Sequence, residues 1–88
     1  MRKVFTTRRF DRRLSVFLKF HPGLAKKVKE TMKVVISDPF TPSLKTHKLS
    51  GPLKECLSSS ITYEHRIVFV LDENSVYFID IGPHDKVY

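Results

Sequence analysis

The apolar positions fall into two helical stripes followed by three short β-like runs. Phe10, Leu14, Phe17 and Leu18 recur at three- and four-residue spacing, which sets them on one face of a helix. Thr6 or Thr7 stands ahead of that stripe, where a hydroxyl can accept the unpaired N–H groups of a first turn. His21-Pro22-Gly23 breaks the helix, and Pro22 suits the opening of a second one. Leu24, Val28, Met32, Val35 and Ile36 form the second stripe, with Lys26, Lys27, Lys29 and Lys33 largely on the other side. Ser37-Asp38-Pro39 ends it, because proline disfavours helical backbone at the residue before it. Two helices joined so tightly are expected to pack as a hairpin.

Lys3-Val4-Phe5 precedes the helices as a short strand. Residues 39–56, punctuated by Pro39, Pro42, Gly51 and Pro52, read as an irregular connection. Three strands are predicted beyond it, over residues 57–62, 65–71 and 76–81. The gaps at 63–64 and 72–75 are short enough for hairpin turns, so the strands should pair antiparallel in sequence order. The middle run is nearly all apolar after Arg66, which makes it the expected central strand. The predicted fold class is α+β: a short N-terminal strand, a two-helix hairpin, then an antiparallel three-strand meander with the helices on one sheet face. With 88 residues, no repeat and no linker, residues 1–88 are expected to form a single domain.

Composition narrows the function classes. Hydrophobic residues at 41% and charged residues at 28% fit a globular chain rather than a disordered one. The single cysteine, Cys56, excludes an internal disulfide. No apolar run approaches the ~20 residues of a membrane span, and the basic N-terminus is followed by no apolar signal core. A cytoplasmic address without a membrane partner is expected. The net charge of +7 is lopsided: residues 1–48 carry 13 Lys/Arg against three acids, a balance of +10, whereas residues 49–88 carry three against six. Such a basic half suits a nucleic acid or an acidic protein, and equally a merely solvated helix face.

The densest potential chemistry lies in Glu64-His65-Arg66-Ile67-Val68-Phe69 and in Ile79-Asp80-Ile81-Gly82-Pro83-His84-Asp85 with Tyr88. Adjacent strands would gather guanidinium, imidazole and phenol, groups that hold a phosphate, move a proton and stack a base. Val68 and Val70 share the face of Arg66, whose head is therefore expected at the sheet's rim. Plainer readings are an Arg66 pair with Glu64 or Asp80, a surface His47, a structural His65, turn residues at His84 and Asp85, and a frayed Tyr88. His47, His65 and His84 match no familiar metal-ligand spacing.

His47-Lys48-Leu49-Ser50-Gly51, Ser58, Glu64 to Phe69 and Ile81 to Tyr88, in that order, resemble the RelE/ParE toxin superfamily over the whole chain. Within it the pattern is most similar to RelE-, YoeB- and YafQ-type mRNA interferases of type II toxin–antitoxin systems. The resemblance implies an α+β fold akin to microbial ribonucleases and an endoribonuclease that cuts mRNA on the ribosome and inhibits translation. It further implies a cognate antitoxin, a toxin–antitoxin hetero-oligomer, and neither cofactor nor metal. By residue, Arg66 would hold the scissile phosphate, His84 would act as general acid and His47 as general base. Glu64 aligns near an acid that some relatives use. Lys45, Lys48, Lys54 and Tyr88 would bind RNA, Tyr88 by orienting or stacking.

Departures are Ser58-Ser59-Ser60, where relatives often carry a basic residue or His, and Leu57, where many carry Trp. The serines put charge neutralisation in question. The alternatives are a ParE-like toxin that inhibits DNA gyrase without cleavage, and an inactive homologue that only binds its antitoxin; His84 and Tyr88 favour the nuclease. An antitoxin segment would dock on the Arg/Lys helix faces, which the core is not expected to need.

Overall fold

The computed structural model describes residues 2–51 and 54–83, so His84, Asp85 and Tyr88 lie outside the described residues. Element order is β1 (Lys3–Thr6), α1 (Arg8–Phe20), α2 (Ala25–Ser37), β2 (His47–Lys48), β3 (Leu57–Ser60), β4 (His65–Leu71) and β5 (Ser75–Pro83). Thr7 caps α1, its hydroxyl accepting from the Phe10 N–H at 3.0 Å. Pro22 opens a 3₁₀ turn, Pro22–Leu24, that runs into α2. Every apolar position of the two stripes faces one core: Phe10, Phe17, Val28 and Val35 are buried, and Leu14, Leu18, Leu24, Met32 and Ile36 pack around them.

The sheet has five strands in the order β1-β5-β4-β3-β2, and β4 is central as expected. The three-strand meander is therefore extended at both edges. β1 pairs parallel with β5, and within the stretch read as irregular His47–Lys48 forms a two-residue strand antiparallel to β3. Between β4 and β5 the register shifts: Val68 faces Asp80 and Phe69 faces Phe78, so Ile79 is the extra residue of a bulge. That extra residue lets Phe78 and Ile81, an odd number of positions apart, both enter the helix-side core, while Ile79 packs with Leu49, Cys56 and Val68 on the opposite face. Burial, then the nearby Glu55, pushes the Cys56 thiol pKa up, so it packs there as a small apolar group.

The β3–β4 turn is organised by Thr62. Its hydroxyl oxygen accepts from the backbone N–H groups of Glu64 and His65, each at 3.2 Å. The Thr62 hydroxyl also lies 3.0 Å from His65 Nδ1, within hydrogen-bond distance. His65 sits in a ring cluster, with centroids 5.1 Å from Phe17 and 4.7 Å from His21. Desolvation by burial, then the neighbouring His21, lowers the His65 pKa from 6.5, against a weaker opposite pull from Glu64. The unfolded chain therefore binds the proton more readily, and this contribution to stability is complete above pH 6.5 and is lost as pH falls below it. Urea midpoints should decline on acidification through that range, and His65→Gln should flatten the decline. An equal slope in the variant would show that His65 does not set it.

Candidate active site

Arg66 is the centre of the site, and it is not at the rim. It is 8% exposed, on the face of the central strand away from the helices, with Ser60 as its partner on β3 and Gly82 on β5. Gly82 puts no side chain beside it, and β3 supplies oxygen. Arg66 Nε donates to Ser58 Oγ at 2.7 Å and Nη1 donates to Ser60 Oγ at 3.0 Å. Nη2 donates to the Lys45 carbonyl at 3.1 Å and the Ser58 carbonyl at 3.3 Å, and lies 3.2 Å from His47 Nδ1. These described partners are acceptors of a kind that fixes the direction of the guanidinium fork.

Two chain segments far from Arg66 in sequence build this cradle. Lys45 adopts the left-handed region, φ 50° and ψ 45°, which aims its carbonyl at the guanidinium. Thr46 fastens the next residue: its hydroxyl donates to the Pro39 carbonyl at 2.6 Å and lies 2.6 Å from Ser59 Oγ. His47 then enters β2 opposite Ser58. Arg66 can only donate, so its contact with His47 Nδ1 requires that nitrogen's lone pair. Nδ1 is also 3.3 Å from the Lys45 carbonyl, which can only accept. A proton on Nδ1 would therefore exchange the first contact for the second.

The structure thus brings Arg66, His47 and the Lys45 carbonyl together. Glu64 is exposed on the β3–β4 turn and lines, with Lys45 and Arg66, a groove of about 740 Å³. Lys48 is exposed on β2 and Lys54 on the turn beyond Gly51, at the same sheet edge. The described sheet ends at Pro83, paired with His65, and His84 follows directly in sequence. Ser58 and Ser60, read as a weakness, instead orient the guanidinium. The signal available was alternation on an antiparallel neighbour, which gives both serines the face of Arg66.

Asp80 is not the partner of Arg66. Its carboxylate takes Arg13 Nε at 2.7 Å and Arg9 Nη2 at 3.3 Å. The arginine face of α1 is therefore not wholly spare: Arg9 and Arg13 tie the helix to β5, while Arg12 is exposed. Among the described residues no helix is long and apolar enough to cross a membrane.

The fold has counterparts among known proteins. YafQ from Escherichia coli strain BL21(DE3) superposes with a TM-score of 0.87 at 18% identity, covering 100% of this chain and 99% of that one. The toxin in an E. coli DinJ–YafQ complex gives 0.85 at 18%, again over 100% and 99%. A YoeB dimer from Staphylococcus aureus gives 0.78 at 21%, over 94% and 97%. At such identities the likeness shows the shared fold. No curated protein sequence matches the chain. Residues 5–85 match the family model described as YoeB-like toxin of bacterial type II toxin–antitoxin system, and the chain belongs to that family.

Proposed function

We propose that this chain is an endoribonuclease toxin that cuts mRNA on the ribosome in the cytoplasm, by acid–base chemistry using the RNA's own 2′-hydroxyl. The observation that carries the reading is the buried Arg66 fork, aimed by these acceptors and set 3.2 Å from an imidazole nitrogen. In the reaction the 2′-oxygen forms a bond to phosphorus and the bond from phosphorus to the 5′-oxygen breaks. Arg66 holds the non-bridging oxygens as their charge grows. When the phosphate engages Nη2, His47 Nδ1 is released to take the 2′ proton, and the Lys45 carbonyl accepts the new N–H. His84 supplies the proton for the departing 5′-oxygen, and each such transfer contributes on the order of 10²–10⁴-fold. Glu64 is an auxiliary acid at the groove's edge. Lys45, Lys48 and Lys54 attract the RNA backbone, and Tyr88 orients the substrate.

The partner that silences it is an antitoxin. E. coli YafQ has been seen in complex with DinJ. Here Val16 and Phe20 on α1 are 54% and 71% exposed beside Arg12, a mixed face suited to an acidic amphipathic segment. Expression of the chain alone should arrest growth and leave cuts within coding sequences that carry 5′-hydroxyl ends. Arrest without new mRNA ends would overturn the nuclease reading and favour inhibition by protein contact.

A further inference from the structure

Tyr63 stands at the tip of the β3–β4 turn and is 96% exposed, the most exposed large apolar side chain described. The turn beneath it is internally hydrogen-bonded. Besides the Thr62 bonds, the N–H groups of Ile61 and Thr62 donate to the His65 carbonyl at 2.9 and 3.3 Å. Such a turn fixes the backbone from which the ring projects, and so presents an aromatic face to solvent at a defined place beside the sheet.

The ring borders the groove of about 740 Å³ between α2 and this turn, a volume within the range of small-molecule sites. Lys27 and Val34 of α2 line one wall and Leu44 and Lys45 the adjoining end, with Arg66 also among the lining residues. Lys27, Lys45 and Arg66 outnumber Glu30 and Glu64 among the lining charges. Lys45, Ser60 and Arg66 belong both to this groove and to the cradle of the proposed phosphate site, so the two are continuous.

We propose that the groove is a nucleotide subsite of the same RNA track, in which Tyr63 stacks on the base next to the cleaved phosphate. Lys45 and Lys27 hold the flanking phosphate. The inference rests on the nuclease reading, and single-stranded RNA is the occupant because the groove joins a phosphate site, carries excess positive charge and offers a bare aromatic face. Stacking of this kind tolerates any base.

The test uses the full chain and a short single-stranded 2′-fluoro RNA, which lacks the attacking hydroxyl, with 2-aminopurine at one position in turn along a series. Wild-type protein should quench the fluorophore most strongly at one register. Tyr63→Ala should lose that quench and raise Kd by roughly 5- to 150-fold, the range for one aromatic stack. Tyr63→Phe should behave as wild type, and the exposure of the side chain leaves the fold of both variants intact. If Tyr63→Ala binds and quenches as wild type does, the subsite is overturned. No quench at any position with the wild-type protein overturns it too, while the nuclease reading is decided separately by mapped 5′ ends. A Tyr63→Ala defect confined to protein association, with RNA affinity unchanged, would assign the turn to a protein partner and overturn the proposal.

Discussion

Replacing Arg66 by alanine is expected to lower single-turnover cleavage by about 10²–10³-fold, the usual loss when one preorganised donor to a developing oxyanion is removed. The variant should also be less stable. Arg66 is buried, and its loss leaves Ser58, Ser60 and the Lys45 carbonyl without their donor, at a cost of roughly 1–3 kcal/mol. The two effects separate by magnitude. A small domain starts from about 5–15 kcal/mol, so even the low end keeps ~2 kcal/mol and leaves all but a few per cent folded. Unfolding therefore cannot account for a hundredfold loss of chemistry. Arg66→Lys should restore charge but not the fork, because one ammonium cannot reach Ser58, Ser60 and Lys45 together. Circular dichroism and cleavage should be measured on the same samples. A folded Arg66→Ala protein that cuts within tenfold of wild type would remove Arg66 from the mechanism.

Much of the frame that holds this arginine is legible in the chain. The two stripes, a threonine cap at residue 6 or 7 and the central strand follow from local sequence, because each depends on neighbours within a few residues. What surrounds Arg66 does not. Its acceptors come from β3 and from the Lys45–His47 stretch, 6 to 21 residues away, and only the register Ser60↔Arg66 turns a run of serines into a cradle. Two-residue β2 is too short to leave a periodic signal, and the pairing of β1 with β5 leaves none in β1 itself. The bulge at Ile79 is likewise silent in a run that reads as ordinary strand. Charge counting located the basic half but could not tell that Arg9 and Arg13 meet Asp80 while Arg12 stays exposed. The strand motif marks the arginine proposed to hold the phosphate, and it does not mark the environment of that arginine.

His84→Gln should slow cleavage by on the order of 10²–10⁴-fold if it is the acid for the leaving 5′-oxygen. The residue follows Pro83, the end of β5, whose neighbour Gly82 lies opposite Arg66. A rate loss alone would not distinguish an acid from a residue that shapes the tail, but the leaving group does. An alkoxide leaves poorly without a proton, whereas a thiolate leaves readily because thiols ionise near pH 8–9. On a substrate whose scissile 5′-oxygen is replaced by sulfur, wild type and His84→Gln should therefore cut at nearly equal rates. His47→Gln should stay slow on both substrates, since removal of the 2′ proton is still required. Both ratios belong to single-turnover conditions, in which product release does not enter. If the defect of His84→Gln is as large with sulfur as with oxygen, the residue does not donate the proton, and its effect comes from positioning.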